Sequence, residues 1–89
     1  MVRWTESTLK SIEKNKIPEK TFHQIAKCFE AIDKVGDIAI FDTKRIKGNY
    51  EKEYYRLRKG NYRAIFHFEK KDIVIIDIRH RKEIYRKWE

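Results

Sequence analysis

The 89-residue chain is poor in the residues that staple or break a fold: one cysteine, one proline, one methionine and three glycines. A lone Cys28 leaves no partner for an internal disulfide and excludes a cysteine-built zinc site. Long apolar runs are also missing. The longest, Ile73 to Ile76, is strand-sized, far short of the roughly 20 residues a membrane helix needs. The opening Met1-Val2-Arg3-Trp4-Thr5-Glu6 carries no apolar segment of the signal-peptide kind, so no membrane partner and a cytoplasmic location are expected. There are no clustered carboxylates and no paired His/Asp ligands, so neither a metal nor a cofactor is expected. No repeat, linker or low-complexity tract divides the chain, and its length suits one domain over residues 1–89.

What the chain has in quantity is charge. Charged and hydrophobic residues each make up 40% of it, and the formal net charge is +8. The excess is not spread evenly. Residues 1–43 hold 7 Lys/Arg against 7 Asp/Glu, whereas residues 44–89 hold 15 against 7, so the whole +8 belongs to the second half. A basic field confined to one part of a small fold is the footprint of a polyanionic partner; a solvated surface that aids solubility is the plainer alternative.

The pattern along the chain predicts an α+β fold. Val2–Trp4 alternates as a short first strand. Thr5 or Ser7 can cap a helix with Leu9 and Ile12 on one face, ending near Asn15 or Lys16. Pro18 suits the first turn of a second helix. In that helix Phe22, Ile25, Ala26, Phe29, Ile32 and Val35 form one apolar stripe that Gly36 stops. Cys28, at the stripe's edge, reads as a small core residue, and His23, off the stripe, as solvent-facing. Residues 37–52 read as an irregular connection. Three strands follow, Glu53–Lys59, Tyr62–Glu69 and Asp72–Arg79, with a tight turn at Gly60-Asn61. Arg81–Trp88 reads as a final helical turn or two. The expected fold is thus a small antiparallel sheet of about four strands, an N-terminal strand plus a three-stranded meander, packed on a two-helix hairpin.

A two-residue loop at Gly60-Asn61 places Arg58 opposite Arg63, Arg56 opposite Ile65 and Leu57 opposite Ala64. One face then carries Tyr55, Leu57, Tyr62, Ala64, Phe66 and Phe68 and can receive the helices. The other carries Arg56, Arg58, Arg63, Ile65 and His67. A slip of one residue would exchange the two sets, so the hydrophobic pattern enforces this register. The preferred reading is a three-residue turn after Glu69, which would set Asp77 beside Arg63 and send Val74, Ile76 and Ile78 to the core; a two-residue turn would exchange the faces of the last strand.

Like charges across a strand pair repel, a cost that an anionic ligand would relieve. Arginine's planar fork matches phosphate oxygens. Without metal ligands, the route open to such a site on RNA is attack of a 2′-hydroxyl on its own phosphorus. That step needs a base, cations for the phosphorane and an acid for the 5′-oxygen. Arginines supply the cations. His80 or Tyr85 could move a proton, with His67 in reserve; equally, Tyr85 could pack a helix and His80 could end a strand.

The string Tyr55-Arg56-Leu57-Arg58-Lys59-Gly60-Asn61-Tyr62-Arg63-Ala64-Ile65-Phe66 resembles the hairpin motif of RelE/ParE-superfamily toxins. Ile78-Arg79-His80-Arg81-Lys82-Glu83-Ile84-Tyr85 is similar to their C-terminal segment, with Arg79 where glycine is usual. The resemblance spans nearly the whole chain. It implies the toxin of a type II toxin–antitoxin pair, whose RelE-like members enter the ribosome and cleave mRNA. It implies catalytic roles for Arg56, Arg58, Arg63, Arg81 and Tyr85: Arg56 and Arg58 contact substrate and aid proton transfer, Arg63 stabilises the phosphorane, Arg81 assists the leaving group and Tyr85 orients or deprotonates the nucleophile; because arginine carries protons poorly, His80 joins the catalytic candidates. Either Tyr85 or His80 is the base. Lys44, Arg45, Lys47, Lys59, Arg79 and Lys82 would bind RNA. The implied partners are an antitoxin, the ribosome and mRNA, with operator DNA reached only through the antitoxin. A ParE-like gyrase inhibitor, or a degenerate toxin that only binds, are the alternatives within the superfamily.

Overall fold

The computed structural model describes residues 1–88, with side chains through Ile84. Strand β1 (Val2–Trp4) leads into helix α1 (Glu6–Lys14) and helix α2 (Glu19–Val35). A 3-10 turn (Ile38–Ile40) and strand β2 (Thr43–Arg45) follow, then β3 (Tyr55–Lys59), β4 (Tyr62–Glu69), β5 (Asp72–His80) and helix α3 (Arg81–Trp88). The α+β class holds, but the sheet has five strands in the order β1-β5-β4-β3-β2 and is mixed, because β1 runs parallel to β5. The connection over residues 37–52 is therefore less irregular than its sequence suggests.

Each helix forms for a local reason. The Thr5 hydroxyl accepts the Thr8 amide proton and caps α1, and Asn15 closes that helix. Pro18 sits one position earlier than expected, at the N-cap of α2 rather than inside its first turn; its carbonyl accepts the first intrahelical bond, from Phe22. Gly36 ends α2 in the left-handed conformation, φ +80, and donates to Ile32. From α2, Ile25, Cys28, Phe29 and Ile32 are buried, whereas Val35, expected on the same stripe, is 62% exposed.

Helix α2 covers one sheet face. Its Phe29 meets Phe66 edge-on at 5.0 Å, and Trp4 packs on Phe22 at 5.0 Å and on Phe29 at 6.0 Å. Leu57, Ala64, Phe66, Ile73, Ile75 and Ile78 complete this core. Burying each large aliphatic or aromatic side chain contributes about 1.5–3 kcal/mol. Ion pairs lock the sheet's margin: the N-terminal amine reaches Asp33 at 2.7 Å and Asp72 at 3.3 Å, and Arg3 reaches Glu69 at 2.5 Å.

The β3–β4 register is the expected one: Arg58 faces Arg63, Arg56 faces Ile65 and Leu57 faces Ala64. Gly60, at φ +59, takes the turn position that disfavours a side chain. The β4–β5 register corrects the preferred reading. The turn there has two residues, Glu69 pairing with Asp72, and Lys70 itself adopts φ +56. Ile73 and Ile75 consequently enter the core instead of Val74 and Ile76. A β-bulge then shifts the pairing between Ile65/Asp77 and Phe66/Ile75, which leaves Ile76 as the extra residue. Beyond the bulge Asp77 stands opposite Ile65, not beside Arg63, and Arg79 takes the place beside Arg63.

Candidate nucleic-acid interface

The registers of β2 through β5 arrange the second sheet face in transverse rows. One row reads Arg58–Arg63–Arg79 across β3, β4 and β5. The next reads Lys44–Arg56–Ile65–Asp77 across β2 to β5. A third places His67 opposite Val74, with the Tyr54 ring edge-on to His67 at 5.7 Å. Neighbouring strands lie about 4.8 Å apart, so each row brings its charged groups close together.

This face is not the open arginine surface expected from alternation alone. Arg63 is only 4% exposed, and Ile65, His67, Val74 and Asp77 are buried with it. Ile65, Val74 and Ile84 are buried but stand outside the α2 core, a second and smaller apolar layer. Helix α3 contacts both β4 and β5. The guanidinium of Arg63 folds back on its own hairpin, where Nη1 donates to the carbonyls of Gly60 and Tyr62, each at 2.9 Å. Arg58 is half-exposed and bonds Asp42 through Nε at 2.5 Å. Arg79 bonds Asp77 at 2.9 Å, and Ser11 donates to the same carboxylate at 3.1 Å. Arg58 and Arg79 thus each have a carboxylate close by, Asp42 and Asp77; Asp42 was not singled out from the sequence, because it lies far along the chain from Arg58.

The other candidates fall into two groups. Lys44, Arg45, Lys47 and Arg56 line one pocket of about 260 Å³ beside β2, although Arg45 also reaches Glu53 at 3.2 Å. Arg81 and Lys82, both exposed, begin α3 next to the β3–β4 turn, where the Arg81 amide donates to the Asn61 carbonyl at 2.8 Å. Lys59 does not join them. It pairs with Tyr62 on the α2 side, where its charge tempers the raised pKa that burial gives the Cys28 thiol. That thiol stays protonated and behaves as a core residue. The Tyr85 side chain lies outside the described residues.

His80 caps α3. Its Nδ1 accepts the Lys82 amide proton at 3.3 Å, and its ring stands edge-on to Tyr62 at 5.6 Å. A ring nitrogen that accepts an amide proton assigns the proton to the other nitrogen, so Nε2 carries the hydrogen. In this tautomer Nδ1 is engaged by the start of the helix and Nε2–H is the ring's donor.

Among the described residues no helix is long and apolar enough to cross a membrane. The family described as the ParE toxin of type II toxin–antitoxin systems, parDE, matches residues 2–85. The chain belongs to this family and is a toxin of the RelE/ParE superfamily. Its fold is similar to that of a chain in the RelB-RelE antitoxin–toxin complex from Methanococcus jannaschii, 25% identical, TM-score 0.76, over 98% of this chain and 99% of that one. The RelE-RelB complex from Pyrococcus horikoshii OT3 aligns at TM-score 0.66 and 20% identity, covering 90% and 92%. The YoeB-YefM complex from Staphylococcus aureus aligns at 0.69 and 16%, covering 90% and 94%. No curated protein matches the chain in sequence.

Proposed function

We propose that this toxin is a metal-independent mRNA endoribonuclease that acts on the ribosome and so arrests translation in the cytoplasm. The observation that carries the reading is the row Arg58–Arg63–Arg79, three guanidinium groups on adjacent strands beside the basic start of α3. Cleavage would form a bond from the 2′-oxygen to phosphorus and break the bond from phosphorus to the 5′-oxygen, giving a cyclic phosphate and a free 5′-hydroxyl. Negative charge grows on the non-bridging oxygens, and Arg63 and Arg58 stabilise it. Arg56 holds the flanking backbone. Arg81 faces the departing 5′-oxygen, which takes its proton from water. His80 Nε2–H donates a hydrogen bond to the phosphate, and the task of base falls to Tyr85.

The carboxylate near Arg58 fits the same scheme: that pair is half-exposed, so an incoming phosphate can compete with Asp42 for the guanidinium. An antitoxin is the proposed protein partner, as in the RelB-RelE complex, and operator DNA is reached only through it.

A second reading has its own support. The family matched is named for ParE, and the burial of Arg63 leaves less cation exposed than a nuclease site would use. In that reading the target is DNA gyrase, and RNA stays intact. Purified toxin added to a translation reaction, with mRNA 5′ ends mapped, tests the two: cuts that require ribosomes support the nuclease, and intact mRNA with lost gyrase supercoiling supports the other.

A further inference from the structure

Strand β5 changes faces partway along. Ile73 and Ile75 belong to the α2 core, and plain alternation would send Asp77 and Arg79 after them. The extra residue at the bulge, Ile76, prevents this. Beyond it Ile78 takes the core position, and Asp77 and Arg79 turn to the opposite face, where Arg79 stands beside Arg63. Bulges re-aim side chains in this way. Here the bulge keeps two charged groups out of the core and adds the third guanidinium to the row. Glycine is usual at this place in the segment that residues 78–85 resemble, so the third arginine is a feature of this chain.

The Asp77 carboxylate is buried and gripped from two sides. Ser11 of α1 shares its single hydroxyl proton between Asp77 Oδ1, at 3.1 Å, and the Ile78 carbonyl, at 3.2 Å. Asn15, which closes α1, donates in turn to the Ser11 oxygen at 2.9 Å. On the other side Arg79 Nε lies 2.9 and 3.2 Å from the two carboxylate oxygens. Among the described residues, every hydrogen bond that Arg79 makes runs through Nε, which leaves both Nη groups for another acceptor. The side chain is 30% exposed and borders a groove of about 670 Å³ along α1. This pair differs from Asp42–Arg58, whose partners are both half-exposed. Taking Arg79 away from Asp77 would strand a buried charge, so the carboxylate keeps its hold when an anion arrives.

We propose that Asp77, fixed by Ser11, is a positioning residue: it grips Arg79 by Nε so that both Nη groups face the phosphate held by the arginine row. Arg79 then adds its donors to those of Arg58 and Arg63 as charge grows on the non-bridging oxygens. That this phosphate is the one cut rests on the ribonuclease reading. Two plainer roles compete. If Asp77 merely neutralised Arg79, removing its charge would tighten RNA binding. If it merely docked α1 on β5, its loss would act on folding and not through Arg79.

The tests use the full-length toxin. In 15N NMR the Arg79 Nε–H should give a slowly exchanging signal that Asp77→Asn weakens. An RNA hexamer with 2′-O-methyl sugars, which lacks the attacking hydroxyl and cannot be cut, should shift that signal in the parent. A signal unmoved by the hexamer overturns the proposal, whether or not the toxin cuts mRNA. In cleavage of ribosome-bound mRNA at saturation, Arg79→Ala should slow the step about 100-fold and Asp77→Asn about tenfold, each with KM little changed. The double variant should be no slower than Arg79→Ala, because Asp77 acts through Arg79. Equal slowing by Asp77→Asn in both backgrounds, or tighter hexamer binding by Asp77→Asn, overturns positioning. Ser11→Ala removes one bond from the carboxylate and leaves the charge pair, so it decides the matter should Asp77→Asn not fold. Its smaller loss should also vanish in the Arg79→Ala background, and a loss that persists there overturns positioning. A shifted Arg79 signal with mRNA left intact overturns the nuclease reading instead, and the grip of Asp77 on Arg79 stands.

Discussion

Arg58 and Arg63 stand directly opposite each other across β3 and β4, yet one is half-exposed and near Asp42 while the other is buried against the turn that joins their strands. Two like charges at this spacing repel. The structure separates them by folding Arg63 onto the Gly60 and Tyr62 carbonyls and drawing Arg58 toward Asp42.

Arg63 therefore has two tasks, and substitutions separate them. Arg63→Ala removes the charge and both carbonyl contacts, and should cost about 1–3 kcal/mol in urea unfolding as well as abolish growth arrest. Arg63→Lys keeps the charge and loses the planar fork, so it should fold with a smaller loss and still lose most toxicity. Undiminished growth arrest by both variants removes Arg63 from the site.

Asp42 should restrain Arg58. The pair is half-exposed and worth at most about 1 kcal/mol, so Asp42→Asn should barely move the unfolding midpoint. RNA affinity should rise several-fold, because the guanidinium no longer exchanges one anion for another. Weaker binding by Asp42→Asn would show instead that the carboxylate orients Arg58 for its ligand.

The hairpin, its register and the α2 stripe were legible because each rests on local chemistry: Gly60-Asn61 at the turn, alternation in Tyr62–Glu69, and apolar residues at three- and four-residue spacing up to Gly36. What was not legible rests on distant partners. Strand β2 is three polar or charged residues that become a strand only by pairing with β3. The parallel pairing of β1 with β5 joins the two ends of the chain. The β4–β5 turn misled because Lys70, not a glycine, takes the positive φ. At the site, alternation told which side chains share a face, but not that the face around Arg63 is buried.

His80 offers a test of capping against chemistry. Asn is a good N-cap, so His80→Asn should keep α3 and the fold, while His80→Ala should lose about 1 kcal/mol. If His80 donates to the phosphate in addition to capping, His80→Asn should slow cleavage without changing the thermal transition. Equal cleavage by His80→Asn would confine the residue to its structural task.

Acid stability should report the Glu69 cluster. The Lys52 ammonium, and after it Arg3, hold the Glu69 carboxyl down at about 2, from an ordinary value of 4.5. A carboxyl held lower in the folded state than in the unfolded chain contributes stability that is complete above pH 4.5 and is lost as the pH falls through about 2. Urea unfolding from pH 5 to 2 should therefore show a shallower decline in Glu69→Gln than in the parent, and identical slopes would mean that the cluster does not persist in solution.

The central claim is that a face built around Arg58, Arg63 and Arg79 cuts RNA held on the ribosome. Mapping 5′ ends of one mRNA incubated with purified toxin, with and without ribosomes, measures this directly. The account expects new ends bearing a 5′-hydroxyl, present only with ribosomes and absent with Arg63→Lys. Intact mRNA alongside arrested growth would contradict it.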